Sequence, residues 1–86
     1  MTLLELADYT QELLKSQQGR VDRINSTHEG VENLCSEVWL LNDLEIIQEQ
    51  IETCDKIPDN KAKTLLGMTI SLCCLRNPRI KDLYRN

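Results

Sequence analysis

One histidine and four cysteines are the residues of this sequence best suited to catalysis or metal binding. A cysteine beside a histidine can act as a nucleophile, and the same two residue types bind zinc. On one helix, His28 and Cys35 would lie about 10 Å apart, which is too far for the hydrogen bond that a catalytic pair needs. Cys54, Cys73 and Cys74 could reach His28 only from separate elements, and no two cysteines have the C-x-x-C spacing of a zinc site. We therefore predict a protein that is not an enzyme and that uses no cofactor or metal.

The cysteines instead favour a reducing environment. Cys73 and Cys74 are adjacent within a helical pattern, where their side chains would point in different directions, and we expect all four cysteines to be small apolar thiols. The N-terminus shows no positive leader with a long apolar region. The longest uncharged apolar stretch, Thr64–Leu75, is shorter than the roughly 20 residues that cross a bilayer. We expect an intracellular protein, in the cytoplasm or the nucleus, without a membrane segment.

The composition favours helices over sheets. Aromatic residues are 3% of the chain and Phe is absent, whereas large sheets draw on aromatic and β-branched side chains. With 3 Gly and 2 Pro, the chain has few residues for tight turns. Leu and Ile carry most of the apolar content, and a length of 86 residues allows one domain, which we predict to span residues 1–86.

The N-terminal half has a clear helix start and an ambiguous middle. Thr2–Glu5 has the pattern of a capping box, in which a Thr hydroxyl and a Glu carboxylate bind exposed backbone N–H groups. A second capping box at Ser26–Glu29, followed by Gly30, predicts that a new helix begins near Thr27. The alternative is one long helix, because two rows continue at heptad spacing: Leu14, Val21, His28 and Cys35 in one, and Gln17, Ile24, Val31 and Val38 in the other.

The next region is helical, and its apolar face changes partway. From Val31 to Cys54 apolar residues recur in steps of three and four, but those after Asn42 do not continue the face set before it. This change predicts either a bend near Asn42 or a long helix that has partners on two sides.

The last third of the chain should hold a loop and two helices. Asp55–Asn60 contains Pro58, which lacks an N–H and disfavours a helix at the residue before it. A helix over about Lys61–Arg76 then carries apolar residues on nearly every side, which is typical of a helix surrounded by neighbours. We expect it to pack against the Val31–Cys54 region. Asn77 and Pro78 end this helix and can start a short final one.

Charge is unevenly distributed, although the net value is −4. The segment Glu29–Asp55 contains acidic residues and no Lys or Arg, and the segment from Lys56 onward is mainly basic. The two segments can lie side by side with solvated charges, or opposite charges can set the pairing of separate chains. A third interpretation is an anion or nucleic-acid patch made of Arg76, Arg79, Lys81 and Arg85. The acidic net charge and the scarcity of stacking aromatics argue against nucleic acid, so we expect a protein partner.

These patterns predict an all-α protein: a small helical bundle or a long helical hairpin of about three to five helices, with coiled-coil packing as a variant of either. We expect oligomerisation or scaffold assembly through an apolar helical seam, giving a homo-oligomer. The predicted interface residues are Leu34, Val38, Leu41, Leu44, Ile47, Ile51, Leu65, Leu66, Ile70 and Leu72. If Ile47 is interfacial, Ile47→Asp should dissociate the assembly and leave a folded monomer.

Two other interpretations use the same apolar residues. The protein can be a monomeric adaptor that binds a partner's amphipathic helix in a groove. The residues can also form a purely internal core, in which case they carry no information about a partner.

Overall fold

The chain forms four α-helices and one short 3₁₀ turn in the computed structural model, which describes residues 3–54 and 59–84. In chain order the elements are α1 (Leu3–Thr27), the 3₁₀ turn (Val31–Asn33), α2 (Leu34–Cys54), α3 (Asp59–Arg76) and α4 (Pro78–Leu83). No strand occurs in these described ranges, and the predicted all-α class is confirmed. Thr2, the predicted cap of α1, and residues 55–58 of the predicted loop lie outside them.

The first helix ends at a left-handed backbone turn. His28 has a φ of 62° and Gly30 a φ of 73°, and a right-handed helix cannot continue through that region. Gly30 therefore helps to separate α1 from α2. Of the two interpretations of this region, the single long helix is wrong, because α1 ends at Thr27. The chain does break here, but the next α-helix, α2, begins only after the 3₁₀ turn and not near Thr27. The Thr27 hydroxyl donates to the carbonyl of Arg23 (2.8 Å) and accepts from the N–H of Glu29 (3.2 Å).

The second helix runs without a break and has neighbours on two sides, α1 and α3. This is one of the two arrangements predicted from the change of apolar face, and no helix end occurs at Asn42. α1 and α2 are antiparallel, since Gln17 in the second half of α1 binds Glu37 in the first turn of α2. α3 packs on α2 as predicted, and its last residue, Arg76, reaches Asp43.

The core lies along one side of α2. Its buried residues are Leu40, Leu44, Ile47, Ile51 and Cys54 from α2, Leu66 and Cys73 from α3, and Ile80 from α4. Partly buried residues of α1, among them Leu6 and Leu13, pack against this cluster. A fully buried Leu or Ile stabilises the folded state by about 1.5–3 kcal/mol, so the centre of α2 holds the other helices in place.

The short α4 closes the bundle. The Asn77 side chain accepts a hydrogen bond from the backbone N–H of Arg79 (3.2 Å), and Pro78 lies in the first turn, as the Asn-Pro pair predicts. Ile80 is fully buried, and Tyr84, just beyond α4, shares a hydrogen bond with the hydroxyl of Thr10 in α1 (2.7 Å). The C-terminal helix is therefore anchored to α1 as well as to α2.

Candidate functional site

The predicted interface residues fall into three groups in this fold. Five are buried within the chain: Leu41, Leu44, Ile47, Ile51 and Leu66. The half-buried members are Leu34, Val38 and Ile70, and the exposed members are Leu65 and Leu72. Packing within one chain explains the buried five, and Ile47, at 0% exposure, is a core residue. An interface on the folded chain has to use the exposed positions.

The exposed members belong to an apolar row along α3. Leu65, Met68, Leu72 and Leu75 are 39%, 60%, 62% and 82% exposed. Their steps of three, four and three residues place them on one side of the helix, away from Leu66, which packs into the core. We call these four residues the outer row. Within the single chain, the expectation that neighbours surround this helix is not met, because its outer side stays uncovered.

Sequence reasoning includes Leu65 and Leu72 in the interface but omits Met68 and Leu75. The signal that finds all four is their spacing, which repeats like one seam of a coiled coil. The apolar residues of α3 belong to two separate faces, one that packs in the core and one that forms the outer row. The apolar content of the helix alone does not distinguish the two faces.

Small residues lie beside the outer row and leave space next to it. Gly67 and Ser71 are exposed, and apart from its chain neighbours and the nearby backbone of its own helix, no described atom lies within 4 Å of the position that a Cβ on Gly67 would take. Together with Thr64, Met68 and Leu72 they line an open hollow. Because the distance between packed helices depends on the side chains at the contact, another helix could approach α3 closely here.

A second exposed face lies on α2. Trp39 is 60% exposed and Ile46 is 36% exposed, and the acidic residues Glu45 and Glu49 are exposed beside them. We call these four residues the α2 outer face. The open hollow at this face is lined by Trp39, Asn42, Asp43, Glu45, Ile46, Glu49 and Arg76. An exposed tryptophan and two carboxylates thus share one side of a helix whose opposite side forms the core.

Two carboxylates of α2, those of Glu37 and Asp43, pair the acidic segment of the sequence with its basic segment. Glu37 accepts hydrogen bonds from Gln17 (2.7 Å) and Arg79 (2.9 Å). Arg20 lies 3.8 Å from the same carboxylate. Burial alone would raise the pKa of Glu37, but these hydrogen bonds and the charges of the two arginines outweigh it and lower the pKa below its ordinary value. Glu37 therefore fastens α1 and α4 to α2 in its ionised form.

Asp43 is the second of these carboxylates. It is 2% exposed and forms an ion pair with Arg76 of α3. Arg76 also donates to the Sγ of Cys73 (3.6 Å). Burial and the negative charge of Asp43 raise the pKa of the Cys73 thiol, and the opposing effect of Arg76 is smaller. Cys73 is therefore held as a neutral thiol.

These two carboxylates bear on the three interpretations of the charge pattern. Arg76 and Arg79, half of the predicted anion patch, are already paired with acidic residues of the same chain. The pairs favour the interpretation in which the acidic and basic segments lie side by side. Glu45 and Glu49 take part in neither of these ion pairs.

The histidine and the cysteines singled out in the sequence differ in their exposure. His28 is exposed in the turn after α1, whereas Cys54 and Cys73 are buried. The four cysteines all lie in the described ranges and form no disulfide there. Across the described residues, no group of three or more His, Cys, Asp or Glu side chains is placed to hold a metal ion.

Comparisons with known proteins give no relative: no protein family, curated protein or solved structure matches the chain significantly. In the part of the chain that the structure describes, no helix combines the length and the apolar character that crossing a membrane requires. The outer row and the α2 outer face are therefore the features on which a functional proposal rests.

Proposed function

We propose that this protein is a protein–protein interaction module that self-associates through the outer row of α3. The observation that carries the proposal is the row itself, four apolar side chains that are 39% to 82% exposed in the single chain. Contiguous exposed apolar side chains on a folded protein typically mark an interaction site. Covering them removes apolar surface from water, and this is the main driving force of association.

The spacing of the row favours a helix as its partner. Leu65, Met68, Leu72 and Leu75 repeat in the three-four-three pattern by which side chains of one helix fit between those of another. The space beside Gly67 and Ser71 would accept side chains of the opposing helix. A pair of packed helices, rather than a flat surface, is the arrangement that this pattern supports best.

The charge around the row favours a second copy as that helix. No charged residue occurs between Thr64 and Leu75, so two copies of this segment can face each other without opposing like charges. Arg76, the first charged residue after the row, is already paired with Asp43. A two-fold axis across the row would make α3 and its copy antiparallel, which also places their helix dipoles in opposite directions.

We further propose that this role is non-catalytic and intracellular. The structural support is that the four cysteines form no disulfide in the described residues, and a reducing compartment keeps such thiols reduced. A short chain also gains stability from self-association, because its own core is small.

The test compares two chemically identical substitutions by size-exclusion chromatography with light scattering. Leu72→Asp places a charge in the centre of the outer row and should convert a dimer to a monomer with unchanged helical circular dichroism. Leu4→Asp, at a position that is 73% exposed on α1, is the matched control and should leave the dimer intact. A dimer that survives Leu72→Asp, or that Leu4→Asp disrupts equally, would overturn the proposal.

The alternative is a monomeric adaptor whose outer row takes up an amphipathic helix of another protein. The hollow beside Gly67 and Ser71 supports it, since a partner need not resemble α3 to fill that space. A wild-type chain that is a folded monomer at all concentrations would favour this alternative over self-association.

A further inference from the structure

We infer that the α2 outer face is a second docking surface, separate from the outer row of α3, and that it takes up a basic amphipathic helix of another protein. This inference goes beyond self-association, since it assigns a different surface and a different partner. It rests on the geometry, the charge and the exposed tryptophan of α2.

The geometry of the face suits a helix. With Asn42, which lines the same hollow, Trp39, Ile46 and Glu49 of this face form a series in steps of three, four and three residues, the same pattern as the outer row. All four lie outside the core, and Trp39 at 60% exposure is the largest side chain among them. Tryptophan is enriched among the residues that contribute most to protein interfaces.

The charge of the face defines the chemistry of the partner. Glu37 and Asp43, the two acidic residues in the first half of α2, are paired with arginines of the same chain. Glu45 and Glu49, by contrast, form no ion pair with any described residue. They are four residues apart on one helix, where like charges repel each other. Arg76 lines the same hollow but is already paired with Asp43. Lys or Arg side chains from a partner would therefore relieve this repulsion and complement the two carboxylates.

These features argue against two other occupants of the α2 outer face, the outer row of a second copy and a nucleic acid. The outer row of a second copy has no charged residue between Thr64 and Leu75, so it offers no cation to Glu45 and Glu49. Phosphate groups of a nucleic acid would be repelled by the same carboxylates. A helix with an apolar stripe for Trp39 and Ile46, flanked by Lys or Arg, satisfies both requirements, and Arg can also stack on the indole.

The experiment uses the only tryptophan of the chain as its probe. Trp39 is exposed, so binding of a helix over it should shift its fluorescence emission to shorter wavelength. The ligand is a synthetic, Trp-free helical peptide with Leu at heptad positions and Lys on both flanks. A second peptide of the same apolar row carries Glu in place of Lys. We expect saturable binding of the Lys peptide that weakens with added salt, and binding of the Glu peptide that is weaker by about tenfold or more.

Three variants locate the contact. Glu45→Lys together with Glu49→Lys should weaken binding of the Lys peptide by about tenfold or more, whereas Glu29→Lys together with Glu32→Lys, the same change of net charge at exposed positions outside the face, should not. Ile46→Ser should also weaken binding, since it removes apolar contact beside Trp39 and keeps every charge. Leu72→Asp should leave binding unchanged.

The outcomes separate this inference from self-association. Loss of binding with Leu72→Asp would assign the peptide to the outer row and overturn the inference. Equal loss with both double charge reversals, or no loss with Ile46→Ser, would show general attraction of charges without docking and would also overturn it. If the Lys peptide does not shift the emission at all, the inference is also overturned, whatever the oligomeric state of the chain.

Discussion

α2 and α3 are both rich in apolar residues, but they use them in opposite ways. α2 has α1 on one side and α3 on another, so Leu44 and Ile47 are 1% and 0% exposed. Among the described elements, the main neighbours of α3 are α2 and α4, and Leu72 and Leu75 on its outer side are 62% and 82% exposed. The difference shows that the number of neighbours, rather than the apolar content of a helix, decides whether its residues form core or surface. It is also the reason for placing self-association on α3.

The same substitution on both helices should have opposite consequences and the largest effect of those expected. Ile47→Asp buries a charge within the apolar core cluster, and the cost should exceed the total stability of about 5 kcal/mol expected of a small domain. Helical circular dichroism should be lost. Leu72→Asp should change the stability of the monomer by no more than about 0.5 kcal/mol in urea titrations at low concentration. If Leu72→Asp unfolds the chain, α3 has no free outer side and the comparison fails.

The second prediction concerns the carboxylate that ties α1 and α4 to α2. Glu37→Gln should destabilise the chain by about 1–3 kcal/mol at neutral pH, because charged hydrogen-bond partners remain around an uncharged side chain. Since the pKa of Glu37 is lowered in the fold, its contribution is complete above the ordinary value of 4.5 and is lost as the pH falls through the folded value. The difference between variant and wild type should therefore shrink in acid.

Urea titrations from neutral to acidic pH measure this difference. Glu45→Gln is the control, because it removes an exposed carboxylate from the same helix and should have little effect. If the two variants lose equal stability, the hydrogen bonds around Glu37 do not hold the helices together.

The third prediction concerns the contact between the C-terminal end and α1. Burial raises the pKa of Tyr84 from 10.0 to about 12, against the smaller opposing effect of its hydrogen bond to Thr10. A raised pKa means that the contribution of this group is complete below pH 10 and is lost as the pH rises towards 12. Tyr84→Phe should cost about 1 kcal/mol at neutral pH and should lose less further stability than wild type in alkali. Equal alkaline losses in both chains would contradict this account.

The smallest effect is on reactivity rather than stability. Cys35 is exposed near the start of α2, whereas Cys73 is 1% exposed and its pKa is raised. A thiol-specific reagent should therefore modify Cys35 first and Cys73 only as fast as the fold opens. Peptide mass spectrometry after timed labelling measures this order. Early labelling of Cys73 would mean that reagent reaches its thiol in the folded chain, and this would contradict the burial of Cys73 between α2 and α3.

Local sequence signals predicted the parts of the fold that depend on local physics. The all-α class, the packing of α3 on α2, and the start of α4 at Asn77 and Pro78 follow from composition, periodicity and capping. For the region around Thr27 the sequence left two interpretations, a break or one long helix. The structure has the break, at the left-handed residues His28 and Gly30, and α2 starts later than the capping pattern at Ser26–Glu29 suggested.

The candidate sites were only partly predictable. The ion pair between Glu37 and Arg79 joins residues 42 positions apart, and no spacing in the sequence indicates it. The division of apolar residues into core and outer row depends on which helices become neighbours, and this is a property of the whole fold. The spacing of Met68 and Leu75 was visible in the sequence, but only the fold shows that nothing covers them.

The most direct test of the central claim is the solution mass of the reduced wild-type chain, measured by sedimentation over a range of concentrations. Self-association through α3 predicts a mass that rises with concentration from the 9.9 kDa of one chain towards about twice that value. A mass that stays at 9.9 kDa at every concentration would contradict self-association. The outer row would then have to bind a different protein.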